Sequence, residues 1–212
     1  MSYYDLYCER LGPGLLAEPV NVLTNAAFFV AAWFAWRVAR SAGRVSMPTG
    51  VLIALLVAIG AGSALFHTFA SGWARALDEV PILLFQLLFI WAYAREVMRA
   101  PRRWAAACLL LYLGAALYAR GFGHLFNGSL VYAPAVLVTF SLGAYHWQSR
   151  KSARWILLGA AVLLLVAVAL RTLDDPLCGL LPLGTHFMWH LLVAGVAYLC
   201  VRTLVAHSRE PR

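Results

Sequence analysis

Seven stretches of this chain are apolar for too long to belong to a water-facing fold: about 20–40, 48–70, 80–98, 103–120, 126–147, 154–171 and 185–205. At a rise of 1.5 Å per residue, roughly 18 apolar residues or more in a helix are enough to cross a ~30 Å hydrocarbon layer. The runs are continuously apolar, whereas the strands of a spanning barrel alternate over about 10 residues, so helices are expected. Composition agrees, since 63% of residues are hydrophobic and only 12% charged, where a soluble domain needs about a quarter charged to solvate its surface. The sequence therefore predicts an all-α integral membrane protein, a seven-transmembrane helix bundle forming a single domain over 1–212. Pro134 is expected to kink the fifth span. The opening MSYYDLYCER has neither the basic nor the apolar region of a cleaved signal peptide, so the first span is expected to be retained.

Orientation follows from the 17 basic residues. Arg37, Arg40, Arg44, Arg95, Arg99, Arg102, Arg103, Arg150, Lys151, Arg154, Arg202, Arg209 and Arg212 occupy one set of alternate span ends, while the other holds only Arg10, Arg75, Arg120 and Arg171. The positive-inside rule then places the C-terminus in the cytoplasm and the N-terminus outside. The net charge of +8 is accounted for by topology and by contact with anionic lipid, with no call on nucleic acid. No obligate protein partner is inferred. Cys8 and Cys178 fall in external segments, where an oxidising compartment permits a bridge between them, and Cys108 and Cys200 fall within spans. A Cys8–Cys178 disulfide is expected, two unpaired thiols on one side being the alternative.

Ionisable groups inside a span are costly, about 2.5–3.5 kcal/mol at a helix centre, and ask for a partner or a cavity. Ser63 and His67 are one turn apart on one face near the outer end of the second span, and Asp78 follows a short loop at the start of the third, with Pro81 in its first turn. His186 and His190 have the same spacing of four at the outer end of the last span. Three histidines at one depth match the ligand count of a catalytic zinc with one position left for water. Interhelical hydrogen bonding and haem ligation are the alternatives for such a pair. In the zinc reading Asp78 is the general base and acid and Ser63 the donor to a developing oxyanion. As alternatives, Asp78 pairs with Arg75 or caps its helix, and Ser63 is a small residue at a helix contact. His124, His146 and His207 read as surface histidines.

A second polar cluster, CERLGPGLLAEPVNVLTN at 8–25, offers Glu9, Glu18, Asn21 and Asn25. Oxygen ligands suit a hard cation such as Ca²⁺, and helix capping or interhelical hydrogen bonding explains the same residues without one. Asp174 and Asp175 are read as solvated.

The ordered set of CE at 8–9, EPVNVLTN at 18–25, GSALFH at 62–67, LDEVP at 77–81, the cysteine of DDPLCG and HFMWH at 186–190 resembles the alkaline ceramidases. These belong with the seven-span hydrolases that include the adiponectin and progestin receptors, and the resemblance runs almost end to end. It implies Zn²⁺ on His67, His186 and His190, catalytic roles for Ser63 and Asp78, and the Cys8–Cys178 disulfide. The implied reaction is hydrolysis of ceramide, or another N-acyl lipid, to a sphingoid base and a fatty acid at the outer leaflet. At the calcium site the chain departs from the family pattern, with Leu6 ahead of Tyr7, Cys8 and Glu9, which leaves Glu9 and Glu18 as candidate ligands and Asp5 as a substitute. The compact Ala/Arg-rich chain points to a bacterial inner membrane with the site on the periplasmic side. Competing readings are a zinc hydrolase of other acyl amides or esters, and a receptor-like or metal-carrying protein that performs no turnover.

Overall fold

The structure is a computed structural model and describes residues 3–43 and 45–208. Arg44, Arg209 and Arg212 of the basic set lie outside the described residues. The described chain is helical, with no strand: α1 (Pro19–Thr24), α2 (Ala26–Ser41), α3 (Met47–Phe69), α4 (Gly72–Ala92), α5 (Arg102–Arg120), α6 (Ala133–Gln148), α7 (Ile156–Leu177) and α8 (His186–Ser208). Asn25 separates α1 from α2, and the pair runs as one apolar stretch, Pro19–Ser41. A π-helical turn at Tyr93–Val97 ends α4, and a 3₁₀ turn at Ser129–Tyr132 leads into α6.

Among the described residues six of these stretches are long and apolar enough to cross a membrane, which makes the chain a multi-pass integral membrane protein. The remaining expected stretch, 103–120, forms α5, whose 19 residues include Arg102, Arg103 and Arg120, and it is not among the six. Two boundaries differ from expectation. The third stretch begins at Gly72, behind the N-cap Ser71, so Asp78 lies inside α4 and Pro81 is an interior proline. Pro134 sits in the first turn of α6, where the missing N–H costs no helical bond, so it starts the helix and does not kink it.

Consecutive helices pack side by side, and α8 closes the ring against α2 while also touching α3 and α4. Phe28, Leu52, Leu56, Leu157 and Val201 are buried at these contacts, while Leu110, Leu111, Leu137 and Leu165 are exposed, as lipid-facing side chains are. Helices α3 and α4 approach closely at Gly62, where an added β-carbon would fall 2.0 Å from the Leu77 carbonyl oxygen. Only a residue without a side chain lets α3 and α4 meet there, one residue from both Ser63 and Asp78. His146 is buried, not on the surface as expected, because it faces α4 and bonds Tyr93 Oη (3.0 Å) through Nδ1. His124 is exposed.

Candidate metal centre and its surroundings

The short helix α1 packs against both α3 and α8, the two helices that carry the three singled-out histidines. The sequence left open whether those helices are neighbours, and the ring closure makes them so. His67, His186 and His190 are all at most 2% exposed, and one ring nitrogen from each lies within 4.8 Å of the others. It is the one such metal-compatible group among the described residues.

Outer partners fix two of the rings. His67 Nδ1 is 2.5 Å from Glu18 Oε2, and His190 Nδ1 is 2.9 Å from Thr24 Oγ1. Their Nε2 atoms consequently face each other at 3.1 Å, close to the ~3.3 Å that two nitrogens about 2.05 Å from one tetrahedral zinc would keep. His186 Nδ1 is buried without a hydrogen-bond partner, an omission native interiors rarely tolerate unless an ion or water completes it. The donor set of three buried imidazoles, with a carboxylate behind one of them, fits zinc.

Backbone anchoring of α8 comes from Asp174, which is fully buried, not solvated. Its Oδ1 accepts from Thr185 N (2.5 Å) and His186 N (2.8 Å), two donors at the start of α8, and Oδ2 accepts from Cys8 N (3.1 Å). Anions favour a helix N-terminus because its first N–H groups lack partners. Gly184, at φ +63°, leaves room for this carboxylate, since a β-carbon there would meet Asp174 Oδ1 at 2.1 Å. The expected Cys8–Cys178 disulfide is present with Cα atoms 5.2 Å apart, tying the N-terminal segment to the end of α7.

Ser63 is buried on α3, and its hydroxyl faces the Asp78 carboxylate, which also lies in the field of His67. Arg75 pairs instead with Glu79, Nε to Oε1 at 2.6 Å, so the alternative ion pair for Asp78 is not formed. Tyr7 stacks on His186 with ring centroids 3.6 Å apart. Burial, against the pull of Arg171, pushes the Tyr7 phenol well above its usual pKa and keeps it protonated. Arg171 lies over Tyr7 and Tyr132, donates through Nη1 to Asn127 O (2.7 Å) and Ser129 Oγ (3.0 Å), and has a buried Nε with no partner. It lines a cavity of about 390 Å³ that Arg75, Glu79, Gln86, Tyr112 and Arg120 also line. In the sequence Arg171 stands out only as a basic residue at a span end, and nothing marks Tyr7 or Thr24, whose partners His186 and His190 are brought to them only by the fold.

The two candidate calcium ligands are engaged otherwise. Glu9 accepts the backbone N–H of Val20 (2.6 Å) and of Asn21 (2.8 Å), capping α1. Glu18 accepts Arg10 Nε at 2.5 Å and Asn21 Nδ2 at 3.0 Å besides facing His67. Burial alone would raise the Glu18 pKa, but the hydrogen bond and charge of His67, with the hydrogen bonds from Arg10 and Asn21, outweigh it and hold the carboxyl below its usual range. Asp5 is exposed.

The sequence matches the family model described as Ceramidase over residues 8–210, nearly the whole chain. No curated protein matches it.

Proposed function

This chain belongs to the Ceramidase family, and from that membership we propose an intramembrane zinc-dependent amidase that hydrolyses ceramide, or a similar N-acyl lipid, to a sphingoid base and a free fatty acid. One observation carries the reading: three buried imidazoles with ligand atoms within 4.8 Å of one another, beside the facing Ser63 and Asp78. His67, His186 and His190 hold the metal. When bound, zinc polarises a carbonyl and brings the pKa of water in its reach towards neutrality.

The protein's own groups supply the rest. Asp78 takes a proton from the attacking water, whose oxygen bonds the amide carbon, and delivers it to the amine as the C–N bond breaks. Ser63 donates to the carbonyl oxygen as it gains charge. Glu18 and Thr24 hold His67 and His190 in the ring orientation that leaves Nε2 for the ligand side. Arg171 and Tyr132, at the edge of the 390 Å³ cavity, receive the polar head of the lipid.

In this reading α5, packed between α4 and α6, also spans and brings the count to seven, and 1–212 is a single domain. The end of the bundle with the histidines holds only Arg10, Arg75, Arg120 and Arg171 of the basic residues, which supports an external N-terminus and a periplasmic site in a bacterial inner membrane.

A second reading within the same chemistry draws on the charge of that cavity, where Arg75, Arg120 and Arg171 face the single carboxylate of Glu79. It is hydrolysis of an N-acyl lipid with an anionic head, which a panel of neutral and anionic amide lipids separates from ceramide hydrolysis. The first test is fatty-acid release from ceramide by purified protein in detergent, beside Asp78→Asn and His190→Ala, with zinc quantified. Turnover is expected in the wild type, zinc without turnover in Asp78→Asn, and loss of both in His190→Ala. A zinc-loaded wild type inert on every amide lipid sinks the amidase reading and leaves a receptor-like or metal-carrying protein.

A further inference from the structure

The oxygen atoms that the sequence offered to a hard cation converge in the structure on a side chain. Arg10 is 4% exposed. Its Nε donates to Glu18 Oε1 at 2.5 Å, its Nη2 donates to the His67 carbonyl at 2.8 Å, and its Nη1 faces the carbonyls of Gly14 and Gly12 at 3.4 and 3.5 Å. One carboxylate oxygen and three carbonyl oxygens thus surround a single guanidinium. The other oxygen of Glu18 is used by Asn21 and His67, and both oxygens of Glu9 cap α1. Calcium needs six to eight oxygens at about 2.3–2.6 Å. Here it would find those oxygens already used and would meet a buried charge of its own sign, so the residues present do not fit it.

We propose that Arg10 is a built-in cation that stands where a divalent ion would otherwise be bound, and that it positions the metal ligand His67. Two contacts do this. The guanidinium holds Glu18, which in turn holds His67 Nδ1, and it grips the His67 backbone carbonyl directly. A planar fork with several fixed donors suits this double grip, and unlike an exchangeable ion it cannot be lost to a chelator. The metal centre is therefore complete without calcium. The inference rests on reading His67 as a metal ligand with Glu18 as its outer partner.

The test uses purified full-length protein in calcium-depleted detergent buffer, with calcium chloride titrated in. Melting temperature, bound calcium and zinc affinity are read, and none of these depends on turnover, so an inactive protein would count against the amidase reading without touching this one. The wild type is expected to hold no stoichiometric calcium and to melt at one temperature throughout. Arg10→Ser frees the four oxygens, so its zinc affinity should fall by about 10- to 100-fold, the usual loss for an outer-shell partner, and its melting temperature should now rise with calcium. Arg10→Lys keeps the charge without the fork, and is expected to stay calcium-insensitive while binding zinc more weakly than the wild type. It reports even where Arg10→Ser does not fold. One calcium per wild-type chain, or a saturable rise of wild-type melting temperature with calcium, overturns the proposal. So does wild-type zinc affinity in both variants.

Discussion

Replacing Gly62 with alanine tests whether the approach of α3 to α4 sets the Ser63–Asp78 pair. The new β-carbon would lie 2.0 Å from the Leu77 carbonyl oxygen and 2.6 Å from its carbon, and 3.2 Å from Asp78 N. These are backbone atoms and cannot rotate away as a side chain can. Regaining ordinary contact, which starts at 3.4 Å, requires the helices to part by about 1.4 Å at this level, more than the ~1 Å misplacement that can cost on the order of 10²-fold in rate. Fatty-acid release should accordingly fall by about 10²-fold or more, equivalent to roughly 2.7 kcal/mol of transition-state stabilisation. Overpacking should also cost about 1–3 kcal/mol of stability, read as a lower melting temperature. Zinc content should persist, because the three histidines are carried by α3 and α8 and the clash is with α4. Gly114→Ala and Gly195→Ala are the controls, since a β-carbon at either meets nothing within 4 Å. A folded, zinc-loaded Gly62→Ala protein with turnover within about twofold of wild type would refute the assignment of catalytic geometry to this contact.

Glu18→Gln keeps the shape of the His67 partner but not its charge, and is expected to weaken zinc binding by about 10- to 100-fold in a chelator competition. Unchanged affinity would remove Glu18 from the metal's surroundings. The double variant Cys8→Ser, Cys178→Ser opens a crosslink spanning 170 residues. Chain entropy puts the loss at up to about 5 kcal/mol, so its melting temperature should drop, reductant should reproduce the drop in wild type, and reductant should leave the variant unmoved. Gly184→Ala places a methyl group on Asp174 Oδ1 in a backbone region alanine avoids, and should cost more than about 1 kcal/mol and release zinc, because His186 N is held by that carboxylate.

Local signals carried much of the bundle. Long apolar runs are set by composition alone, so the positions of the joined α1–α2 stretch, α3, α5 and α8 follow from sequence to within about three residues. The start of α4 was missed because Gly72–Leu77 is not apolar enough to count as a span, although Ser71 is a common N-cap residue. The histidine trio was legible from its spacing of four and matching depth, whereas its convergence depended on α8 closing the ring beside α3. The burial of Asp174 and of Arg10 is not legible in the sequence, for one reason. A charged residue in a short loop reads as solvated unless its partners are known, and theirs come from segments up to 166 residues away.

The crosslink and the histidine trio also fix when the centre can exist during synthesis. His190 follows His67 by 123 residues, and Cys178 follows Cys8 by 170. A nascent chain synthesised only through α7 already carries Glu18, Ser63, His67 and Asp78 but lacks two of the three metal-compatible imidazoles and the start of α8 that Asp174 anchors. The three imidazoles therefore come together only when the last helix packs against α7 and α2 and reaches α1 and α3.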